Sequence, residues 1–178
     1  MIRPYRGQLP RLGARVWVDP SAQVIGDVAL GDDASVWPLV AIRGDVNRVR
    51  IGARSNVQDL CVLHVTHDGP YSPGGEPLTI GDDVTIGHHV VLHACSIGSR
   101  CLIGMGAIVM DKVVVEDEVL LAAGSVVPPG KRLHSGWLYR GAPAQPAREL
   151  TRQEREHFMY SAQHYVRLKD QYLSETAA

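Results

Sequence analysis

The stretch Ile80–Val127 reads IGDDVTIGHHVVLHACSIGSRCLIGMGAIVMDKVVVEDEVLLAAGSVV, and its spacing decides the fold. An aliphatic residue returns at every sixth position: Ile80, Ile86 and Leu92, then, after one residue is dropped, Ile97, Ile103, Val109, Val115, Leu121 and Val127. Toward the N-terminus the same beat runs through Ile51, Val57 and Leu63. Beyond a three-residue slip it continues through Val18, Val24, Leu30, Val36 and Ile42. A helix repeats about every 3.6 residues and a strand every two, so neither sustains such a beat. A solenoid of short strands with a corner every six residues does.

A second set of positions fixes the register. Four residues after the aliphatic stands a small or β-branched residue, as at Ala22, Val40, Cys61, Val90, Cys101 and Ala107. Glycine often follows the aliphatic, and Gly and Asp gather where tight corners fall, because both tolerate positive φ. The pattern resembles the hexapeptide repeat of the left-handed parallel β-helix, where three hexapeptides make a triangular coil of roughly 18 residues. Its handedness follows from that resemblance, since ordinary parallel crossovers are right-handed. The expected architecture is mainly β: a β-helix over residues 1–145, with repeats at about 18–130, and over 146–178 a C-terminal helix packed on the solenoid. The two parts form a single domain. Over Leu150–Ser174 the repeat gives way to helical residues. Thr151 and Glu154 have capping-box spacing, and Phe158, Ala162, Tyr165 and Tyr172 form one apolar stripe.

The composition excludes several classes. The chain has 178 residues, enough for a sizeable core, and a formal charge of −1 from 18 basic and 19 acidic residues. Such a balance offers nothing to nucleic acid or an anionic membrane. No apolar run of 18 residues exists, and Met1–Pro10 has no signal-peptide core, so a soluble cytoplasmic protein is expected. Three cysteines make no disulfide framework. Cys61 and Cys101 occupy small inward positions; Cys95 is harder to place.

The register also brings chemistry together. Third faces begin at Ile42, Leu63, Leu92 and Val109, so Arg43, His64 and His93 stand in one column on successive coils. Neighbouring coils lie about 4.8 Å apart, which lets two imidazoles reach one cation. His88 belongs to another face of the prism. It does not easily turn to the His64/His93 face of its own prism but could reach that face on an adjacent one if three subunits pack side by side. The register thus predicts an intersubunit metal site.

The segments Arg43-Gly44-Asp45, Asn56-Val57-Gln58-Asp59, His64, Gly87-His88 and His93-Ala94 resemble the gamma-class carbonic anhydrase family. The similarity is closest to short bacterial members described as carbonic anhydrase-like or transferase hexapeptide-repeat proteins, and it runs nearly end to end. It implies a homotrimer with one zinc per subunit interface, held by His64 and His93 of one subunit and His88 of the next. Iron or cobalt would also suit imidazole ligands. The implied reaction is reversible hydration of CO2 to bicarbonate by a metal-activated water. Gln58 would contact that water or CO2, Asn56 would orient substrate, and Tyr160 would stand in for a family tyrosine near the metal. Arg43 and Asp59 would form a salt bridge across the interface, with Asp45 holding Arg43. These three residues serve equally well as purely trimer-building groups.

Two features depart from the best-studied type of this family. Val46 stands where an acidic residue follows the arginine motif, and the loop from Val65 to Thr79 is short, with Asp68 and Glu76 its only carboxylates. Proton export then lacks an evident shuttle, with His67 the nearest substitute. Two alternatives therefore stand beside CO2 hydration. One is an acyl-CoA thioesterase or acyltransferase-like protein; the other is a metal-binding protein without turnover.

Overall fold

A computed structural model describes residues 1–176. The chain winds into a left-handed β-helix of short parallel strands, closed by the helix Arg152–Thr176. Two faces of the prism join as one 12-stranded sheet, because Ala41–Ile51 bends round a corner. That strand pairs with Val62–His64 on one side of the bend and with Leu78–Ile80 on the other. The remaining face is a separate eight-stranded sheet running from Trp17–Val18 to Ala144–Glu149.

The six-residue beat is the core. Every aliphatic of the beat except Val18 is buried, and Val18 packs at the margin. Corner residues carry the left-handed backbone, including non-glycines such as Leu39, Leu60 and His89. Gly31 shows why some corners need glycine: a Cβ there would lie 2.6 Å from the Ala53 nitrogen of the next coil. Cys95 finds its place too. It is buried in the core, and Ser96 N bonds Val113 O, so Cys95 takes the small inward position of a hexapeptide shortened by one residue. All three thiols are buried, and burial pushes Cys61 and Cys101 up to about 12 and Cys95 strongly upward.

The solenoid exceeds the expected repeat limits at both ends. Ile2–Arg3 and Arg11–Leu12 add parallel edges to Gln23–Leu30. Leu133 and Tyr139 carry the beat onward into the core, and Trp137–Gly141 pairs antiparallel with Ala144–Glu149. Pro143 precedes the strand Ala144–Glu149 and Pro146 lies within it. Ala144–Glu149 is the outermost strand of its sheet, the position in which proline is tolerated.

The helix lies across the eight-stranded face. Thr151 N donates to Glu154 Oε2 at 2.8 Å and Glu154 N to Thr151 Oγ1 at 3.2 Å, so the capping box forms. Phe158 and Ala162 are buried beneath it. Tyr165 and Tyr172 pack edge-on against Trp37, with ring centroids 5.4 and 5.3 Å away.

Candidate metal centre

Strands Val62–His64 and Val91–His93 pair in parallel with His64 directly opposite His93. Their rings converge: His64 Nδ1 lies 3.2 Å from His93 Nε2. Each outer nitrogen meets a carboxylate, His64 Nε2 at 3.0 Å from Asp45 Oδ1 and His93 Nδ1 at 2.7 Å from Asp111 Oδ1. A carboxylate accepts a hydrogen bond from the ring N–H that faces it, so in the neutral rings both inner nitrogens present lone pairs to each other. Two nitrogens at this distance can share a proton or a cation. Ligands of one tetrahedral zinc, with Zn–N about 2.0–2.1 Å, stand roughly 3.3 Å apart, and the donor set fits such an ion.

Electrostatics favour the ligating form. Burial lowers the His64 pKa, with the nearby Arg43 charge adding to the effect and Asp45 opposing it. Burial alone would raise Asp45, but hydrogen bonds from Arg43 and His64 outweigh it and hold the carboxyl below its ordinary range.

His88 stands apart, at the corner after Gly87, with Nδ1 2.9 Å from Asp59 Oδ2 and Nε2 left for another partner. Among the described residues, no group of three His, Cys, Asp or Glu side chains comes together within the chain to hold a metal. One chain thus assembles two of the three candidate ligands and orients the third elsewhere. Within it Arg43 pairs with Asp45, and Asp59 holds His88.

Asn56 and Gln58 lie beside His88, both buried. Gln58 Nε2 donates to Asn56 Oδ1 at 3.2 Å, Asn56 Nδ2 donates to Thr85 Oγ1 at 3.2 Å, and Thr85 Oγ1 meets Ser161 Oγ at 2.9 Å. This chain fixes the Gln58 amide and leaves its carbonyl and one N–H for a pocket of about 390 Å³, which His88 also lines. Tyr165 lines that pocket. Tyr160 does not: it is exposed and stacks between His157 and His164 on the outer side of the helix. Sequence reasoning also missed Asp111, Thr85 and Ser161. Leu92 pairs with Val109, a step of 17 residues, so Asp111, 18 residues after His93, stands one residue out of that column.

Comparison with known proteins bears on the fold and the family. The family model described as bacterial transferase hexapeptide (six repeats) matches residues 94–129. The chain is 55% identical over 175 residues to Protein YrdA of Escherichia coli (strain K12), covering 98% of this chain and 95% of that protein. It is 40% identical over 168 residues to gamma carbonic anhydrase 2, mitochondrial, of Arabidopsis thaliana, covering 94% of this chain and 60% of the relative. The crystal structure of a hexapeptide transferase family protein from Anaplasma phagocytophilum matches with TM-score 0.89 and 38% identity, covering 97% and 98% of the two chains. Fold and repeat together define an enzyme class that includes carbonic anhydrases and hexapeptide transferases. Within that class, the chain belongs to the hexapeptide-repeat family of Protein YrdA and the Anaplasma phagocytophilum protein, and it is similar to the gamma carbonic anhydrases.

Proposed function

We propose that this protein is a carbonic anhydrase-like lyase that reversibly hydrates CO2 to bicarbonate at metal sites between the subunits of a homotrimer. One observation carries the reading: His64 Nδ1 and His93 Nε2 face each other at 3.2 Å, each ring backed by a carboxylate. His64 and His93 of one subunit would hold the ion together with His88 of its neighbour, whose Nε2 Asp59 leaves turned outward. A divalent ion bound there supplies a Lewis acid that makes water acidic near neutral pH; zinc suits three imidazoles, as do Fe(II) and Co(II). Gln58 positions a substrate oxygen through its remaining N–H, and Asn56 keeps that amide from rotating.

A second reading has one observation in its favour. The pocket beside His88 is about 390 Å³ and is lined by Leu102, Met105 and Leu120 as well as Gln58, more room and more apolar wall than CO2 uses. Such a groove suits an acyl group, so thioester hydrolysis or acyl transfer is the alternative. Stopped-flow CO2 hydration separates the two. Protein loaded with zinc, or anaerobically with Fe(II), is expected to turn over, and His88→Ala to abolish turnover and release the metal. A metal-loaded trimer without hydration would reject the lyase reading and favour acyl chemistry.

A further inference from the structure

The dropped residue after Leu92 has a consequence at the histidine pair. Leu92 pairs with Val109, and Ser96 N bonds Val113 O. The short corner His93-Ala94 is therefore stacked on the longer corner Met110-Asp111-Lys112. Ala94 and Lys112 share the left-handed corner backbone, at φ 47° and 61°, and Lys112 N donates to Ala94 O at 2.8 Å. His93 thus corresponds to Met110, and Asp111 is the residue with no counterpart in the preceding coil. Its carboxylate turns back to His93, where Oδ1 accepts from Nδ1 at 2.7 Å, while Oδ2 accepts from the hydroxyl of Thr66. Thr66 lies just past His64, so one carboxylate joins His93 to the segment that carries the other ligand.

We infer that Asp111 is a positioning residue of the metal centre, holding His93 as its Nδ1–H tautomer with Nε2 aimed at the ion shared with His64. The inference rests on the metal reading given above. Asp45 supports His64 in a similar way but is shared with Arg43. Asp111 likewise has two partners, His93 and Thr66. An imidazole with no outer partner ligates less well because its tautomer and ring angle are no longer fixed, and loss of such a partner typically costs about 10–100-fold in metal affinity. The one-residue contraction of the repeat supplies the offset that lets this carboxylate reach the ring.

The test is zinc affinity by competition with a chromophoric chelator on metal-stripped, refilled protein, alongside 15N NMR of the imidazoles in the metal-free form. Asp111→Ala is expected to bind zinc about 10–100-fold more weakly. In that variant His93 should lose its preference for the Nδ1–H tautomer while His64 keeps its own. Asp111→Asn retains an acceptor oxygen for Nδ1–H and is expected to fall between wild type and Asp111→Ala. It also serves as the readout should Asp111→Ala fail to fold. Wild-type affinity together with an unchanged His93 tautomer in either variant overturns the inference. His93→Ala separates the two levels. Zinc lost in His93→Ala but retained in Asp111→Ala rejects the positioning role alone; zinc retained at wild-type affinity in both rejects the metal reading itself.

Discussion

Replacing Lys169 by Met should loosen the C-terminal helix far more than any other single-charge change on it. Lys169 is fully buried, and its ammonium lies 2.9 Å from Asp33 in the first coils. Asp33 belongs to a column of corner residues that alternate in charge: Arg15, Asp33, Arg54, Asp83, Arg100 and Glu118, all with positive φ. Arg15 bonds Asp33, Arg54 bonds Asp83 and Arg100 bonds Glu118. The helix grips two acidic members of the column, with Lys169 on Asp33 and Arg155 on Glu118. Fourteen residues of helix span about 21 Å at 1.5 Å each. Four coil steps from Asp33 to Glu118 span about 19 Å at 4.8 Å each. The two ion pairs therefore match in spacing and fix where the helix lies along the solenoid.

The two clamps should differ in strength. Arg155 and Glu118 are 41% and 30% exposed, and such a pair contributes at most about 1 kcal/mol. Removing one partner of a buried pair costs about 3–5 kcal/mol. Asp33 keeps Arg15 when Lys169 is lost, so the expected loss for Lys169→Met is smaller, about 2 kcal/mol. Asp33→Asn should cost more, about 3 kcal/mol, because it leaves the ammonium buried with Asp170 alone; Asn tolerates the φ of 59° without strain. Native-state hydrogen exchange of the helix amides measures the detachment directly. Lys169→Met should speed exchange in the last turns roughly 30-fold, and Arg155→Met less than about 5-fold. The double variant Lys169→Met/Asp33→Asn should lose less than the two single losses together, since neither charge is then stranded. Equal effects of Lys169→Met and Arg155→Met, or an additive double variant, would refute the clamp.

Other consequences follow from the same coordinates. Glu154 is held down to about 2 by the Arg148 guanidinium and the Thr151 amide, against an ordinary value near 4.5. Its stabilisation is fully present above about pH 4.5 and is lost as pH falls through about 2. Glu154→Gln should therefore cost roughly 1 kcal/mol at neutral pH and much less at pH 2, as read from denaturant melts at both pH values. The three buried cysteines, with Cys61 and Cys101 at about 12, should ignore Ellman's reagent until the protein unfolds, and rapid labelling of the native state would contradict their core placement. Asn56→Ala leaves Gln58 without its acceptor in a buried setting and should lower stability by about 1–3 kcal/mol; a change below 0.5 kcal/mol in urea would mean that water replaces the bond.

Much of this molecule is legible in its sequence because a solenoid converts position into column. The six-residue beat marks the core, and the residue after each third-face aliphatic marks one exposed column, which is how His64 and His93 can be placed opposite each other before any coordinates exist. What stays hidden lies between columns. Asp111 reaches His93 only because one corner is a residue shorter than the next, and a period shows that a residue is missing without showing which neighbour gains from it. Leu133 and Tyr139 keep the beat, but the prolines at 128 and 129 and an aromatic in place of an aliphatic mask it.

The helix gives the sharpest case. Its apolar stripe is Phe158, Ala162, Tyr165 and Tyr172, and the missing member of that four-three-four-three spacing is position 169. A lysine in the middle of a buried stripe must find an anion on the face it packs against, because an uncompensated ammonium there is too costly to bury. Among the corner residues beneath that end of the helix, Asp33 meets the need. The same spacing puts Tyr165 inward and Tyr160 outward, so the stripe already decides which tyrosine can line the pocket beside His88. Reading the stripe for its one charged member, rather than for its apolar ones alone, would have found both the clamp and the pocket wall from sequence.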